Sequence, residues 1–243
     1  MRRRRKKKHP FAKILFYLLA LFFSTLFMVG AFFGIKGYQI YREAMIEKPI
    51  IERIEEIRNM PGFASYSDLP QFYIDAVVSV EDHRFESHCG IDLIAIARAA
   101  LADIKEMSFV QGGSTITQQL AKNLLFTQEK RLERKVAEVF AALELESVYT
   151  KGEIFELYVN TAYFGNGYYG IGQASEGYFG KKLFELTEYE CAALAGIPNM
   201  PSRYSAGIDT ELAVQRTQIV LDSMVKNKVI TKEEADRIVS QKD

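Results

Sequence analysis

Two spacings of apolar residues divide the chain. From Ile14 to Ile35 the run "ILFYLLALFFSTLFMVGAFFGI" continues for 22 residues without a charge, and as a helix it spans about 33 Å, enough to cross a bilayer. Beyond Lys36 apolar residues recur every three or four positions, the period of helices rather than strands, which predicts a mainly α protein. Tyr38 to Asn59 reads as a helical juxtamembrane stalk, interrupted near Pro49 and ended by "MPG" at Met60 to Gly62. The expected organisation is a basic tail at 1–13, a transmembrane helix at 14–35, a stalk at 36–62 and one body at 63–243. No internal repeat or long linker divides that body.

Charge adds a direction. The chain has 31 basic and 31 acidic side chains, yet Arg2 to Lys8 supply seven of the positives in a row, leaving 24 basic against 31 acidic elsewhere. A cleavable signal would have an apolar region of only about 7–15 residues and a small-x-small site. The span therefore reads as an uncleaved anchor, with "RRRRKKK" on the cytoplasmic side and everything after Lys36 outside. The acidic body excludes a nucleic-acid partner. In an oxidising compartment Cys89 and Cys191 can form a disulfide, which a body of this size does not require. His83 and His88 beside Cys89 lack the second Cys/His cluster a zinc site would need.

Four segments carry candidate chemistry. In "IDAVVSVEDHRF" the face defined by Ile74, Val77 and Val78 continues to Glu81 and Phe85. A carboxylate on that face loses hydration and gains proton affinity, as a general acid or base near neutrality requires. The alternative is a helix-terminal acid paired to Arg84 or to a backbone amide. In "QGGSTITQQLAKNLLF", Gly112 and Gly113 precede a capping box of Thr115 and Gln118, with Ile116, Leu120 and Leu124 as the apolar stripe and Lys122 on the donor-rich face. No G-x-x-x-x-G-K-[ST] is present, so a nucleotide P-loop is rejected, while a pyrophosphate stays open. "RLERKVAEVFAALELE" is expected to bury Leu132, Val136, Val139, Phe140 and Leu143 and to display Arg131, Arg134, Lys135 and Glu138; taken alone, its Arg134–Glu138 pair reads as a solvated charged face. "KGEIFELYVNTAYFGNGYYGIGQASEGYFG" joins a helix to a glycine- and aromatic-rich loop at Asn160. After it, Thr187 and Glu190 form a second capping box, and helices around Glu211–Asn227 and Lys232–Gln241 read as packing elements.

Taken in order, "EDHRFESHCGID", "GGSTITQQLAKNLL", "RKVAE", "IFELYVNTAYFGNGYYGIGQASEGYFGK" and "AALAGIPNMPSRY" resemble the five signature blocks of the bacterial peptidoglycan glycosyltransferases, glycosyltransferase family 51. The resemblance covers Pro70 to Tyr204. It implies a lysozyme-like globular head and a small membrane-associated jaw around the cleft. It also implies polymerisation of lipid II: a growing glycan chain on undecaprenyl pyrophosphate is the donor, the GlcNAc 4-hydroxyl of lipid II is the acceptor, and inversion gives a β-1,4 link. By the same resemblance Glu81 is the general base with Asp82 beside it, and Glu138 is the second essential glutamate. Lys122, Arg134 and Lys135 hold the pyrophosphate and sugar. Ser114, Thr115 and Gln118 contact sugar or phosphate, and His88, Gly90 and Asp92 are scaffold. The family and its anionic substrate would accommodate a divalent cation (Mg or Mn), although no metal-ligand spacing requires one. The membrane and other cell-wall synthesis proteins are the expected partners.

The chain departs from the usual blocks in three places: "IFELYVN", Ala206 where a proline is common, and Lys130-Arg131 where one donor-binding arginine is expected. An S-x-x-K at Ser223 to Lys226 has no S-x-N or K-T-G after it, so the expectation is the stand-alone form rather than a transpeptidase fusion. A lysozyme-like hydrolase with Glu81 as general acid is the rival enzyme reading, but it needs no pyrophosphate-binding cations. An anchored non-catalytic scaffold is the other rival, and it gives no reason to keep Glu81, Glu138 and Lys122 together. Large apolar residues at Phe109 and Leu124 to Phe126 are the expected lipid contact of the jaw.

Overall fold

The computed structural model describes residues 10–106, 113–126, 131–204, 207 and 210–241. Phe109, Gly112, Lys130 and Ala206 lie outside these residues. Among the described residues the regular structure is helical apart from one antiparallel bridge, Tyr163 to Tyr169, so the mainly α class holds.

Helix α1 (Pro10–Glu47) is unbroken for 38 residues, about 57 Å, and is long and apolar enough to cross a membrane. It continues past the apolar span, and its last turns pack along α6 (Leu132–Val148). Gly37 permits the approach, because a Cβ there would sit 2.6 Å from the Val136 side chain. One turn on, the Tyr38 ring meets Phe140 edge to face at 5.3 Å, and the Tyr41 hydroxyl donates to Glu144. Helix α2 (Ile50–Arg58), started by Pro49, buries Ile50, Ile54 and Ile57. From it Arg53 donates to the carbonyls of Ala44, Lys48 and Leu124 at 3.3, 3.0 and 3.0 Å. The segment read as a stalk is thus packed into the body, because every third or fourth residue of it is apolar and finds a partner there.

The core forms where α7 (Lys151–Thr161) buries Ile154, Phe155, Leu157, Tyr158 and Val159. Helix α5 (Ile116–Leu125) packs on α6 and α7, while α3 (Gln71–Glu81) packs on α9 (Glu188–Gly196) and α11 (Glu211–Lys226). Helices α4 (Leu93–Glu106), α8 (Ile171–Phe179), α10 (Pro201–Tyr204) and α12 (Lys232–Ser240) complete the body. Both expected capping boxes form, Thr115 with Gln118 and Thr187 with Glu190. Asn160 ties the end of α7 to the chain before α3: it accepts from the Ala64 amide at 2.9 Å and donates to the Ala64 carbonyl at 2.8 Å. The following loop turns through Gly165, Asn166, Gly167 and Gly170, all at positive φ, and a Cβ at Gly170 would come within 3.1 Å of the Asn160 carbonyl. Cys89 and Cys191 are free thiols; Cys191 lies in the core, where burial pushes its pKa up to about 12.

Two expected faces are corrected. On α6 the inward residues are Ala137, Glu138, Ala141, Ala142 and Leu145, whereas Leu132 and Leu143 are exposed and Val136 and Phe140 meet α1. Small alanines let α6 lie close to its neighbours, so the bulky residues fall outside the tightest contact. Leu124 and Leu125 join the core rather than a lipid face. On α4, Leu93, Ile94 and Leu101 are exposed by 74, 64 and 69%.

Candidate active site

Helix α3 ends at Glu81 because Asp82 leaves the helical region, at φ −157° and ψ 71°. Glu81 lands on the inner face, its side chain 9% exposed, as the period predicts. Its partner is neither Arg84 nor a backbone amide. Oε2 accepts from Gln119 Nε2 of α5 at 2.9 Å, and Oε1 accepts from Arg216 Nη2 of α11 at 3.3 Å. Arg84 pairs with Asp92 instead. Neither Gln119 nor Arg216 was expected at this carboxylate; Arg216 is 135 residues away on a helix that reads only as packing.

Asp82 is buried. Its carboxylate takes His88 Nε2 at 2.9 Å and the Ile116 amide at 3.0 Å, so it caps the first turn of α5. Thr115 and Gln118 are also buried, each side chain accepting from the other's backbone amide, and the Thr115 hydroxyl also donates to the Gly90 carbonyl at 2.7 Å. Gly90 itself needs to be glycine, with φ +83° and the Ala142 carbonyl 3.0 Å from where its Cβ would be. These contacts lock the first and second blocks to one another. His88 and Asp92 in turn hold Asp82 and Arg84.

The cations gather on α5 and α6. Lys135 Nζ donates to Ser114 Oγ at 2.7 Å and to Glu138 Oε2 at 2.6 Å, and Arg134 Nε lies 3.1 Å from Glu138 Oε1. Glu138 is 1% exposed, so it stands behind Arg134 and Lys135 and aims them. The solvated charged face is not what forms. Lys122, half-buried one helix away, has its pKa lowered chiefly by burial; the Glu138 carboxylate opposes that shift, Lys135 and Arg134 reinforce it, and Glu81 opposes it. Both glutamates and two further cations, Lys135 and Arg134, are therefore within electrostatic reach of this lysine. Arg131 is exposed at the start of α6.

Chemically, a carboxylate at the end of α3 faces an assembly of ammonium and guanidinium groups suited to a phosphate-bearing leaving group. A resident metal fits this donor set poorly. Arg216 engages Glu81, Arg134 and Lys135 engage Glu138, and among the described residues no three His, Cys, Asp or Glu side chains converge.

Comparison with known proteins agrees with the blocks. The transglycosylase family pattern matches residues 48–225. Penicillin-binding protein 1A of Aquifex aeolicus is 43% identical over 179 residues, covering 74% of this chain and 25% of that one. Penicillin-binding protein 1A of Vibrio cholerae is 36% identical over 236 residues, 92% of this chain and 28% of that one. The chain thus spans about a quarter of the length of these relatives. With a family match across most of its length and Glu81, Lys122, Arg134, Lys135 and Glu138 brought near one another, the chain belongs to the transglycosylase family, the peptidoglycan glycosyltransferases whose blocks it resembles.

Proposed function

We propose that the protein is a membrane-anchored peptidoglycan glycosyltransferase that polymerises lipid II. The observation that carries this is the opposition of Glu81, at the end of α3, to the cations Lys122, Arg134 and Lys135 held on α5 and α6. Glu81 takes the proton from the acceptor's GlcNAc 4-hydroxyl as that oxygen attacks the donor's anomeric carbon from the face opposite the phosphate. The bond from that carbon to the pyrophosphate oxygen breaks, its electron pair leaves with undecaprenyl pyrophosphate, and the three cations meet the charge that develops. A β-1,4 link results by inversion, and no step is routed through a metal. A glycan hydrolase would give these cations nothing to do.

The proposed topology, with the body outside the cytoplasm and close to the bilayer, is supported by the basic run before the apolar span. Purified protein given labelled lipid II is expected to make polymer that lysozyme digests, and a reporter active only in the cytoplasm, fused at Asp243, is expected to stay dark. Absence of polymer overturns the activity, and a bright fusion overturns the topology.

The exposed side of α4 is proposed to rest in lipid, because contiguous unpaired apolar residues of this size mark an interaction face. The chain has no tryptophan, which allows a clean test. In bilayers with brominated acyl chains, Ile94→Trp is expected to be strongly quenched, and Phe184→Trp, exposed on the turn after α8, is expected to stay bright. Equal emission from both would remove the lipid contact from α4.

A further inference from the structure

Arg216 lies beyond the last of the five blocks, yet it reaches the centre of the site. Its side chain is 12% exposed and that of Glu81 9%. While Nη2 donates to Glu81 Oε1 at 3.3 Å, Nε donates to the Gly196 carbonyl at 3.1 Å, so the guanidinium is held at two points. Gly196 closes α9, and a Cβ at that position would come within 2.9 Å of Arg216 Cγ. The absence of a side chain there opens the route by which α11 sends the arginine past α9 to α3. The other Glu81 oxygen is held by Gln119, so each carboxylate oxygen has one fixed donor and keeps a lone pair for an incoming proton.

We propose that Arg216 is the positioning residue of the base, fixing the orientation of the buried Glu81 carboxylate. This rests on the reading of Glu81 as general base. Burial alone disfavours a charged carboxylate, and an adjacent guanidinium offsets that while its planar fork sets the orientation. The other charged or titratable groups facing Glu81 are Lys122 from α5, Tyr158 from α7 and Tyr73 on its own helix. Lys122 belongs to the cationic assembly on α5 and α6, and both tyrosines are deeply buried with pKa values raised by burial, leaving Arg216 as the cation bonded to the base.

The test measures lipid II polymerisation by the full chain in liposomes as a function of pH, with thermal melting alongside. Arg216→Met is expected to lower kcat by about 10²-fold, the scale of a misplaced catalytic group, with little change in KM. The acidic limb of its pH–rate profile should move up by about one pH unit. Arg216→Lys retains a charge and is expected to return the limb towards its parental position. A methionine variant whose limb is unmoved, whatever its rate or melting temperature, overturns the proposal, as does a lysine variant displaced as far as the methionine one. Should Arg216→Met fail to fold, Gly196→Ala serves by displacing the arginine; lowered kcat in folded protein supports the proposal and parental kcat overturns it. Glu81→Gln separates the two levels: parental activity there means Glu81 is not the base, whereas loss of activity there with an unmoved limb in Arg216→Met means the base lacks this partner.

Discussion

Glu81→Gln is expected to cut polymerisation of lipid II by at least about 10²-fold, the low end for loss of a general base. Glutamine matches the shape of glutamate but cannot take the acceptor's proton. Because Glu81 accepts from both Gln119 and Arg216, the variant also loses one charge-assisted hydrogen bond, a cost of about 1.5–3 kcal/mol. It should therefore melt earlier than the parent while remaining folded. Binding of a phosphoglycolipid that mimics the donor should persist, since Lys122, Arg134 and Lys135 are untouched. Parental turnover would remove the mechanism, and loss of folding together with activity would make Glu81 structural.

Lys122→Ala is expected to reduce polymerisation by about 10²-fold, on the scale seen when one donor to developing negative charge is removed. Stability should change by no more than about 1 kcal/mol. Lys122 is half-buried on the donor-rich side of α5, and burial already weakens its hold on its proton. Its loss removes attractions to Glu138 and Glu81 together with repulsions from Lys135 and Arg134, which oppose one another in the fold, while it harms the reaction. Binding of the phosphoglycolipid should weaken in this variant and survive in Glu81→Gln, so the two substitutions separate proton removal from pyrophosphate holding. Equal activity in Lys122→Ala and parent would return the cluster to a solvated charged surface.

The sequence made the helices legible but not all of their faces. Thr115–Gln118 and Thr187–Glu190 could be placed because a capping box is local, and Glu81 because Ile74, Val77 and Val78 set the phase of its helix. The inward side of α6 was missed because Ala137, Ala141 and Ala142 carry little hydrophobic signal although they permit the closest packing. Asp82, Thr115 and Gln118 carry polar atoms of the kind that binds sugars, and their second use, in helix caps and on His88, appears only in the fold. Arg216 carried no local mark at all, since its role exists only once α3, α9 and α11 meet. The bare carbon of Gly196 is the one hint, and it becomes readable only beside the arginine it admits.

The seating of Gly37 against Val136 gives the membrane helix a use beyond tethering. Since α1 runs without a break from the apolar span into this contact, the protein stands on a rigid post rather than a leash. Along that post each residue adds about 1.5 Å of height and about 100° of turn. The two residues between Ile35 and Tyr38 therefore act as a gauge, setting both how far above the lipid α6 carries Arg134 and Lys135 and the compass direction in which the cleft opens. On the proposed function, a polyprenyl pyrophosphate confined to the bilayer surface would be met at one altitude and from one side, and successive additions would occur without the catalytic body finding its bearing anew.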